Sequence, residues 1–318
     1  MREQHSPVKT GHVRMQASPV GLKNFGNTCF LNAVIQCLAV ADGRDWEAVA
    51  RKGIGTPVRT ATIWEEYLRL VVDMKRGRRA YLIPHALRNA IERTHPSFDC
   101  SVQQDAHELM VMLFNSMGTE AQAWGSGGWE MSCLGQLTST LICNECKETS
   151  TRTDDSGVVS LEIPDGKPSV SVMDCWKSFF SEERLLSEDG WTCTRCLGGS
   201  FATKQLRMTA EPPLLIIHLK RFKTTSSGRS YKCSDPVVIP LKLPLSSQYS
   251  LYGMVRHHGT SVASGHYTAE VAGGGGSRWW RCNDRSVYKT VRECDRESRD
   301  AYILFYKRHR QEDSTGGS

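Results

Sequence analysis

The sequence predicts an α+β protein in which the helices come first along the chain and the strands follow. In the first half, apolar residues recur at three- and four-residue steps, which is the period of an amphipathic helix. The second half consists of short runs rich in β-branched and aromatic residues, separated by Gly, Pro, Asp and Ser clusters. Because helices and strands do not alternate, we do not expect a βαβ arrangement.

Three helices are predicted in the first half. The first begins at Cys29, where apolar residues start to repeat with helical spacing. The second follows Pro84, a residue that favours a helix start. The third covers 102–117 and turns Leu109 and Leu113 inward.

The second half predicts an antiparallel sheet region. Each strand is a short apolar or alternating run that ends at turn residues. The predicted strands are 137–142, 158–163, 204–208, 214–219, 249–256, 267–271, 279–282 and 302–306.

Composition places the chain among folded globular proteins. Of its 318 residues, 39% are hydrophobic and 23% are charged, which suffices for a sizeable core. The net charge of +6 is a mild basic excess that does not indicate a nucleic-acid partner, and no apolar run is long enough for a membrane span. We expect a soluble monomer located inside the cell, in the cytoplasm, the nucleus or both. It would have one folded domain over 21–307 between flexible tails at 1–20 and 308–318.

Four of the twelve cysteines form two CxxC pairs, Cys143 with Cys146 and Cys193 with Cys196. Each pair presents two thiolates from a tight turn, and two such turns complete the tetrahedron that Zn²⁺ prefers. The pattern predicts one structural zinc per chain, because four thiolates leave no open position for catalysis. A redox disulfide is the alternative, which a reducing compartment disfavours. We expect most of the scattered cysteines to be small buried hydrophobic residues.

Cys29 differs from the scattered cysteines because it lies where a polar, glycine-containing loop runs into a helix. The positive end of the helix dipole favours a thiolate there, and a thiolate is a nucleophile near neutral pH. Asn24 could offer its side-chain amide to an oxyanion formed when Cys29 attacks a carbonyl group. A cysteine at such a position is nevertheless more often structural, so a base must be identified elsewhere.

His266 is the histidine best placed to serve as that base. It follows a Ser- and Gly-containing loop and begins a strand, where Gly265 would let a substrate backbone pass close by. Asn283 and Asp284 end the next strand-like segment, in a hairpin with the His266 strand. Either side chain could accept the Nδ1 hydrogen of the imidazole and fix its tautomer.

Taken together, these segments resemble the ubiquitin-specific proteases, which are cysteine deubiquitinases with a papain-like core. The resemblance spans 21–307, and five motifs carry it: a cysteine box at 21–38, the sequence QQDAHE at 103–108, a strand ending in LKRF at 213–222, a histidine box at 249–267 and a last box at 280–287. It implies a helical thumb, a β-rich palm and zinc-binding fingers inserted at about 133–208.

The resemblance also implies roles for single residues. Cys29 would be the nucleophile, His266 the base, Asn283 the orienting residue, Asn24 the oxyanion donor and Asp284 a helper or substitute for Asn283. Asn283 stands where the family often has Asp, and its carbonyl can accept the imidazole proton but supplies no charge.

The partner implied by the resemblance is ubiquitin, whose tail Leu-Arg-Leu-Arg-Gly-Gly carries two arginines. Asp105 and Glu108, three residues apart on one predicted helix face, could meet those arginines. We predict that Gln103, Gly265 and Tyr267 also line the substrate path. Two alternatives stay open at this point, a protease of another ubiquitin-like modifier and a catalytically weak ubiquitin-binding module.

Overall fold

The computed structural model describes most of the chain from residue 18 to residue 309. Most of the predicted tails at 1–20 and 308–318, namely residues 1–17 and 310–318, lies outside this part, as does Cys294 among the scattered cysteines. The described residues are 18–41, 61–123, 133–165, 169–186, 191–196, 201–225, 227–228, 230–261, 264–273, 278–291 and 295–309.

Within these ranges the chain forms five helices and nineteen strands. The helices are α1 Cys29–Val40, α2 Ile63–Arg76, α3 His85–Thr94, α4 Ala106–Ala123 and α5 Val172–Phe179. The strands are β1 Gly21–Leu22, β2 Tyr81–Leu82, β3 Gly135–Cys143, β4 Thr149–Ser156, β5 Val159–Glu162, β6 Val170–Ser171, β7 Glu183–Leu186, β8 Phe201–Ala210, β9 Leu214–Lys220, β10 Phe222–Thr224, β11 Ser230–Lys232, β12 Val237–Ile239, β13 Lys242–Pro244, β14 Gln248–Ser261, β15 Ser264–Ala272, β16 Trp279–Asn283, β17 Ser286–Thr290, β18 Arg296–Ser298 and β19 Ala301–Arg308.

An eight-stranded sheet forms the centre of the fold. Its strand order is β17-β16-β15-β14-β19-β9-β5, and β13 pairs with β14 beside this path. All of its pairs are antiparallel except β5 with β9, which run parallel. The α+β class is confirmed, and the expectation of a purely antiparallel sheet is corrected at this one edge.

The central sheet is buried on both faces. Along β9, successive side chains belong alternately to the cores on the two faces. Leu214 and Ile216 belong to the core that contains α1 to α4, whereas Leu215, Ile217 and Leu219 belong to the core on the opposite face with α5. Successive side chains of a strand point to opposite faces, so a continuous apolar run supplies both cores.

A separate four-stranded sheet, ordered β4-β3-β8-β7, carries the two CxxC pairs at its end. Its strands come from 135–156 and 183–210. Between them the chain returns to the centre, where β5 joins the eight-stranded sheet and α5 packs on β5. Strand β6 pairs in parallel with β12 in a third, three-stranded sheet. The region 133–208 therefore contributes strands to three sheets.

Two helices differ from the sequence-based prediction. Helix α2 was not predicted, although Thr62 and Glu65 form a capping box at its start and Gly77 ends it in the left-handed region at φ 58°. Helix α4 begins at Ala106 rather than Val102, because the Asp105 carboxylate accepts from the backbone N–H groups of His107 and Glu108 and so caps the helix. No helix in the described ranges has the length and apolar content needed to cross a membrane.

Candidate active site

Cys29 is the first residue of α1 and is 3% exposed. The residue before it, Thr28, makes no side-chain bond to the helix. Instead, the Thr28 hydroxyl accepts from the backbone N–H of Phe25 at 3.0 Å. Because Thr28 does not cap α1, the first N–H groups of the helix keep their capacity to bind an anion formed beside Cys29.

Strand β1 fixes the loop that leads to Cys29. It pairs in parallel with β2, and the Leu22 N–H donates to the backbone oxygen of Asp284 at 2.9 Å. A Cβ atom on Gly21 would lie 2.2 Å from the Arg285 carbonyl oxygen, so only glycine fits at this crossing. The cysteine loop is thereby held against the turn between β16 and β17.

His266 lies on β15 and faces Asn283 at the end of β16. Its Nε2 is 2.7 Å from Asn283 Oδ1. An amide oxygen can only accept, so Nε2 carries the hydrogen of this bond. The expectation that Nδ1 carries this hydrogen is corrected, and Nδ1 is left for Cys29.

The surroundings of His266 favour the imidazolium form. The pKa of His266 is raised from 6.5 to about 9, chiefly by the hydrogen bond with Cys29. Burial opposes this rise, whereas the bond with Asn283 and the charges of Cys29 and Asp284 add to it. At neutral pH the histidine therefore holds a proton that it can donate.

Asp284 binds two asparagines rather than the histidine. Its carboxylate accepts from Asn24 Nδ2 at 3.0 Å and from Asn32 Nδ2 at 2.8 Å, while His266 Nε2 is 4.0 Å away. The residue adopts φ 50°, a left-handed conformation that aspartate tolerates better than most residues. Of the two candidate orienting residues, the structure brings Asn283 into hydrogen-bond contact with His266.

Asn24 is oriented from both ends of its amide. Its Oδ1 accepts from the backbone N–H of Thr28 at 3.0 Å, and its Nδ2 donates one hydrogen to Asp284. The amide has a second hydrogen on Nδ2. The oxyanion role predicted for Asn24 would use that second hydrogen.

The predicted tail-binding residues occupy different environments. Gln103 donates from Nε2 to the Gly265 carbonyl oxygen at 2.8 Å, and Glu108 is exposed on α4. Asp105 precedes the helix instead of sharing its face with Glu108, and it also accepts from the Tyr302 hydroxyl at 2.5 Å. The expectation of an Asp105 and Glu108 pair on one helix face is therefore corrected.

A cavity of about 310 Å³ lies in front of these groups. It is lined by Gln103, Gln104, Asp105, His107, Glu108, His218, Lys220, Phe222 and Tyr302. Tyr267 does not line this cavity, because its side chain is buried at 2% exposure with its ring 4.8 Å from that of His257. Tyr267 therefore packs beneath the site and presents no surface to a tail in this structure.

The four cysteines of the CxxC pairs meet at the end of the four-stranded sheet. All four Sγ atoms lie within 4.8 Å of one another, with Cys146 to Cys193 at 3.5 Å and Cys143 to Cys196 at 3.9 Å. A tetrahedral zinc with Zn–S bonds of roughly 2.3 Å would set these edges at about 3.8 Å. The donor set therefore fits a metal ion.

Local backbone groups favour the thiolate form at one cysteine of this cluster. The N–H groups of Cys196 and Arg195 lower the pKa of Cys193 from 9.0 to about 7, which favours the thiolate that a metal requires. The other described cysteines, apart from Cys29, are buried in the protein: Cys37, Cys100, Cys133, Cys175, Cys233 and Cys282. Their interpretation as small buried hydrophobic residues is confirmed.

Two contributors to the site were missed. Asn32, 2% exposed on α1, bridges Asp284 and the Leu22 carbonyl, and a polar residue within the apolar helix run could have indicated it. His257 lies beneath Gly265, where a Cβ atom would come within 2.3 Å of His257 Nε2. No local pattern in the sequence indicates that contact.

Comparison with known proteins identifies the family. The family model for ubiquitin carboxyl-terminal hydrolases matches residues 20–306, nearly the whole of the described chain. The chain therefore belongs to the ubiquitin carboxyl-terminal hydrolase family, and the resemblance to ubiquitin-specific proteases is confirmed.

Several relatives are similar over this region. Human ubiquitin carboxyl-terminal hydrolase 2 is 30% identical over 334 residues, which cover 90% of this chain and 54% of the relative. Human ubiquitin carboxyl-terminal hydrolase 3 is 29% identical, with 91% and 68% of the two chains covered. This chain thus spans about half the length of human hydrolase 2.

The fold is shared with solved structures of the family. A SAGA module of Ubp8, Sgf11, Sus1 and Sgf73, solved bound to monoubiquitin, aligns with a TM-score of 0.77 at 24% identity and covers 96% of this chain and 72% of that one. A second structure of this module, bound to ubiquitin aldehyde, aligns with a TM-score of 0.75 at 23% identity, with 92% and 70% covered. The predicted papain-like fold with thumb, palm and fingers is confirmed.

Proposed function

We propose that this protein is a thiol-dependent deubiquitinase that hydrolyses the peptide or isopeptide bond after the C-terminal glycine of ubiquitin. The observation that carries the proposal is the placement of His266, which bonds to Asn283 through Nε2 and has Cys29 as its other hydrogen-bond partner. This is the arrangement of nucleophile, base and orienting group that cysteine-dependent acyl transfer requires. Family membership supplies ubiquitin as the substrate class.

In the first half-reaction the Cys29 thiolate attacks the carbonyl carbon of the terminal glycine. The oxyanion that forms is bound by the second Nδ2 hydrogen of Asn24 and by the Cys29 N–H at the start of α1. His266 then donates its proton to the departing lysine amine, and the carbon–nitrogen bond breaks. The products are the free amine and a thioester between ubiquitin and Cys29.

In the second half-reaction water releases ubiquitin. His266, now neutral, takes a proton from the water as its oxygen attacks the thioester carbonyl carbon. The carbon–sulfur bond breaks, and the Cys29 thiolate and His266 imidazolium are restored. Ubiquitin leaves as a carboxylic acid, which loses its proton to the solvent. Asn283 holds the ring in place through both steps.

The substrate tail would run past the cavity in front of α4. Exposed Glu108 offers a carboxylate to an arginine of the tail, and Asp105 lies at the back of the same cavity. Gln103 acts differently from the other two, because its amide is bonded to the Gly265 carbonyl. It would shape the path of the Gly-Gly end rather than bind the arginines.

Cys143, Cys146, Cys193 and Cys196 would hold one structural zinc. The metal would join the turn after β3 to the CxxC turn that precedes β8 and so stabilise the end of the four-stranded sheet. We propose that this sheet contacts the globular body of ubiquitin, whereas the bond cleavage depends on the distant cysteine and histidine.

A panel of fluorogenic amides of ubiquitin and of other Gly-Gly-ending modifiers tests the proposal. We expect the ubiquitin amide to be cleaved with the highest kcat/KM and the Cys29→Ala variant to be inactive. A preference for another modifier would reassign the substrate to that modifier. Ubiquitin binding by the wild-type chain without turnover of any amide would identify a binding module and refute the enzymatic function.

A further inference from the structure

The hairpin that carries His266 is regular only as far as this histidine. In the ladder of β14 with β15, His258 pairs with His266, and the next pair, Ser261 with Ser264, follows after a register shift. Strand β14 has one more residue than β15 between these two pairs, which is the pattern of a β-bulge. Regular ladder pairing therefore ends beside the catalytic histidine.

A lysine from another hairpin binds the bulged strand at this point. Lys232, the last residue of β11, donates from Nζ to the carbonyl oxygens of His257 at 2.6 Å and Gly259 at 3.1 Å. An ammonium group has three donors and no acceptor, which suits it to bind two carbonyls at once. Phe222, the register partner of Lys232, also packs edge-on against the His257 ring at 5.1 Å between centroids.

The two strands of the hairpin touch directly where Lys232 binds. Gly259 has φ 141°, and a Cβ atom there would lie 2.7 Å from Ser264 O and 2.8 Å from Gly265 Cα. A displacement of the Gly259 backbone would therefore push on Gly265 and on the adjoining His266. From the opposite side, Gln103 binds the Gly265 carbonyl.

Lys232 keeps its charge in a partly buried place that disfavours it. Burial and the nearby Arg221 guanidinium lower the pKa of Lys232, and the Asp300 carboxylate partly offsets both. Two charge-assisted bonds to carbonyl oxygens compensate for that burial. The lysine is thus bound to specific carbonyl groups of β14 and is not only a solvated surface charge.

We propose that Lys232 is a positioning residue for catalysis, because its bonds to His257 and Gly259 fix the backbone that presents His266 to Cys29. This inference rests on the proposed function and adds a residue that touches neither the substrate nor the reacting atoms. Its effect should fall on the chemical step, since the tail cavity is lined by other residues.

The test compares Lys232→Met with Lys223→Met on the ubiquitin amide. Lys223 lies on the same hairpin, but its Nζ binds the Ile163 carbonyl and Asp165, away from the His266 segment. For Lys232→Met we expect kcat to fall about tenfold or more with KM changed less than about threefold, as loss of charge-assisted bonds predicts. Lys232→Arg should recover most of the kcat, and Lys223→Met should resemble the wild type.

A second readout does not depend on ubiquitin. The rate at which iodoacetamide alkylates Cys29 at neutral pH, followed by mass spectrometry of the peptide that contains it, should fall in Lys232→Met, because a displaced His266 no longer forms its hydrogen bond with Cys29. An inactive wild type would refute the proposed function and still leave this rate to decide the role of Lys232.

Three outcomes would overturn the positioning role. One is a kcat and an alkylation rate within about twofold of the wild type in Lys232→Met. Another is an equal loss in Lys223→Met. The third is failure of Lys232→Met to fold, judged by its thermal midpoint against Lys223→Met, which would make the lysine a structural group.

Discussion

The two thiol regions of this protein are assembled in opposite ways. The four finger cysteines come from two short CxxC turns, and each turn supplies half of a complete ligand set. The Cys29 region combines a helix start, the end of a hairpin at His266 and a turn at Asn283 and Asp284, which are far apart along the chain. One site is defined by local spacing, and the other depends on the register of a whole sheet.

The two regions also differ in the reactivity expected of their sulfur atoms. In the cluster of Cys143, Cys146, Cys193 and Cys196, four thiols at mutual contact distance would leave a bound metal no open position, and the metal would make the sulfurs unreactive. At Cys29 a single thiol faces His266 and an uncapped helix end, an arrangement that suits the nucleophile role proposed for it. Disruption of either region should therefore affect different measurements.

The largest expected effect is the loss of turnover in Cys29→Ala. Cleavage of the ubiquitin amide should be undetectable, because no other group supplies the covalent step, whereas ubiquitin binding should remain at the wild-type Kd. Cys37→Ala is the matched control, a buried thiol on the same helix whose pKa is raised well above its usual range by burial. Turnover by Cys29→Ala comparable with the control would remove Cys29 from the mechanism.

The next largest effect concerns the metal. It tests whether the four-cysteine region and the Cys29 region contribute separately to activity. The purified, reduced chain should contain about one zinc, and Cys193→Ser should lose it. We expect that variant to lose more activity on a whole-ubiquitin substrate than on a short Gly-Gly reporter, with Cys175→Ala, a buried thiol outside the cluster, as the control. Equal losses on both substrates would mean that the metal supports the entire fold.

The same difference explains how much the sequence could predict. The zinc ligands follow from two spacings, and the positions of Cys29 and His266 follow from motif and loop context. The atom of His266 that meets Asn283, and the pairing of Asp284 with Asn24 and not with the histidine, follow from sheet register and side-chain packing. Neither leaves a local pattern in the chain.

Packing also explains what was missed in the fold. The parallel pairing of β5 with β9 depends on where the chain goes after it leaves the four-stranded sheet, which alternation of apolar residues does not specify. Helix α2 was the avoidable omission, because Thr62 and Glu65 form a capping box that the sequence displays. The start of α4 was misplaced because Asp105 was interpreted as a helix-face residue and not as a cap.

A smaller effect is expected at Asn24. Asn24→Ala should lower kcat about 10²-fold through loss of an oxyanion donor. If Asp284 acts by orienting Asn24, Asp284→Ala should lower kcat less, and the double variant should be no worse than Asn24→Ala alone. Asn27→Ala, a change in the same loop that leaves the Asp284 contacts intact, is the control. Additive losses in the double variant would give Asp284 a separate role.

The smallest effect is a shift in pH dependence at Asn283. Because the pKa of His266 is raised to about 9, the imidazolium is present at neutral pH and is lost as the pH rises through that value, so kcat/KM should fall on the alkaline side near it. The Asn283 bond is one of the causes of the raised pKa, and Asn283→Ala should therefore move this alkaline limb toward 6.5 and lower the maximum. Asn283→Asp should move the limb upward, since a carboxylate adds a negative charge beside the ring. Profiles of kcat/KM between about pH 6 and about pH 10 on the ubiquitin amide would measure both shifts.

An alkaline limb at the same pH in the wild type and both variants would contradict this prediction. It would show that the titrating group is not His266, and that Asn283 orients the ring without changing its pKa.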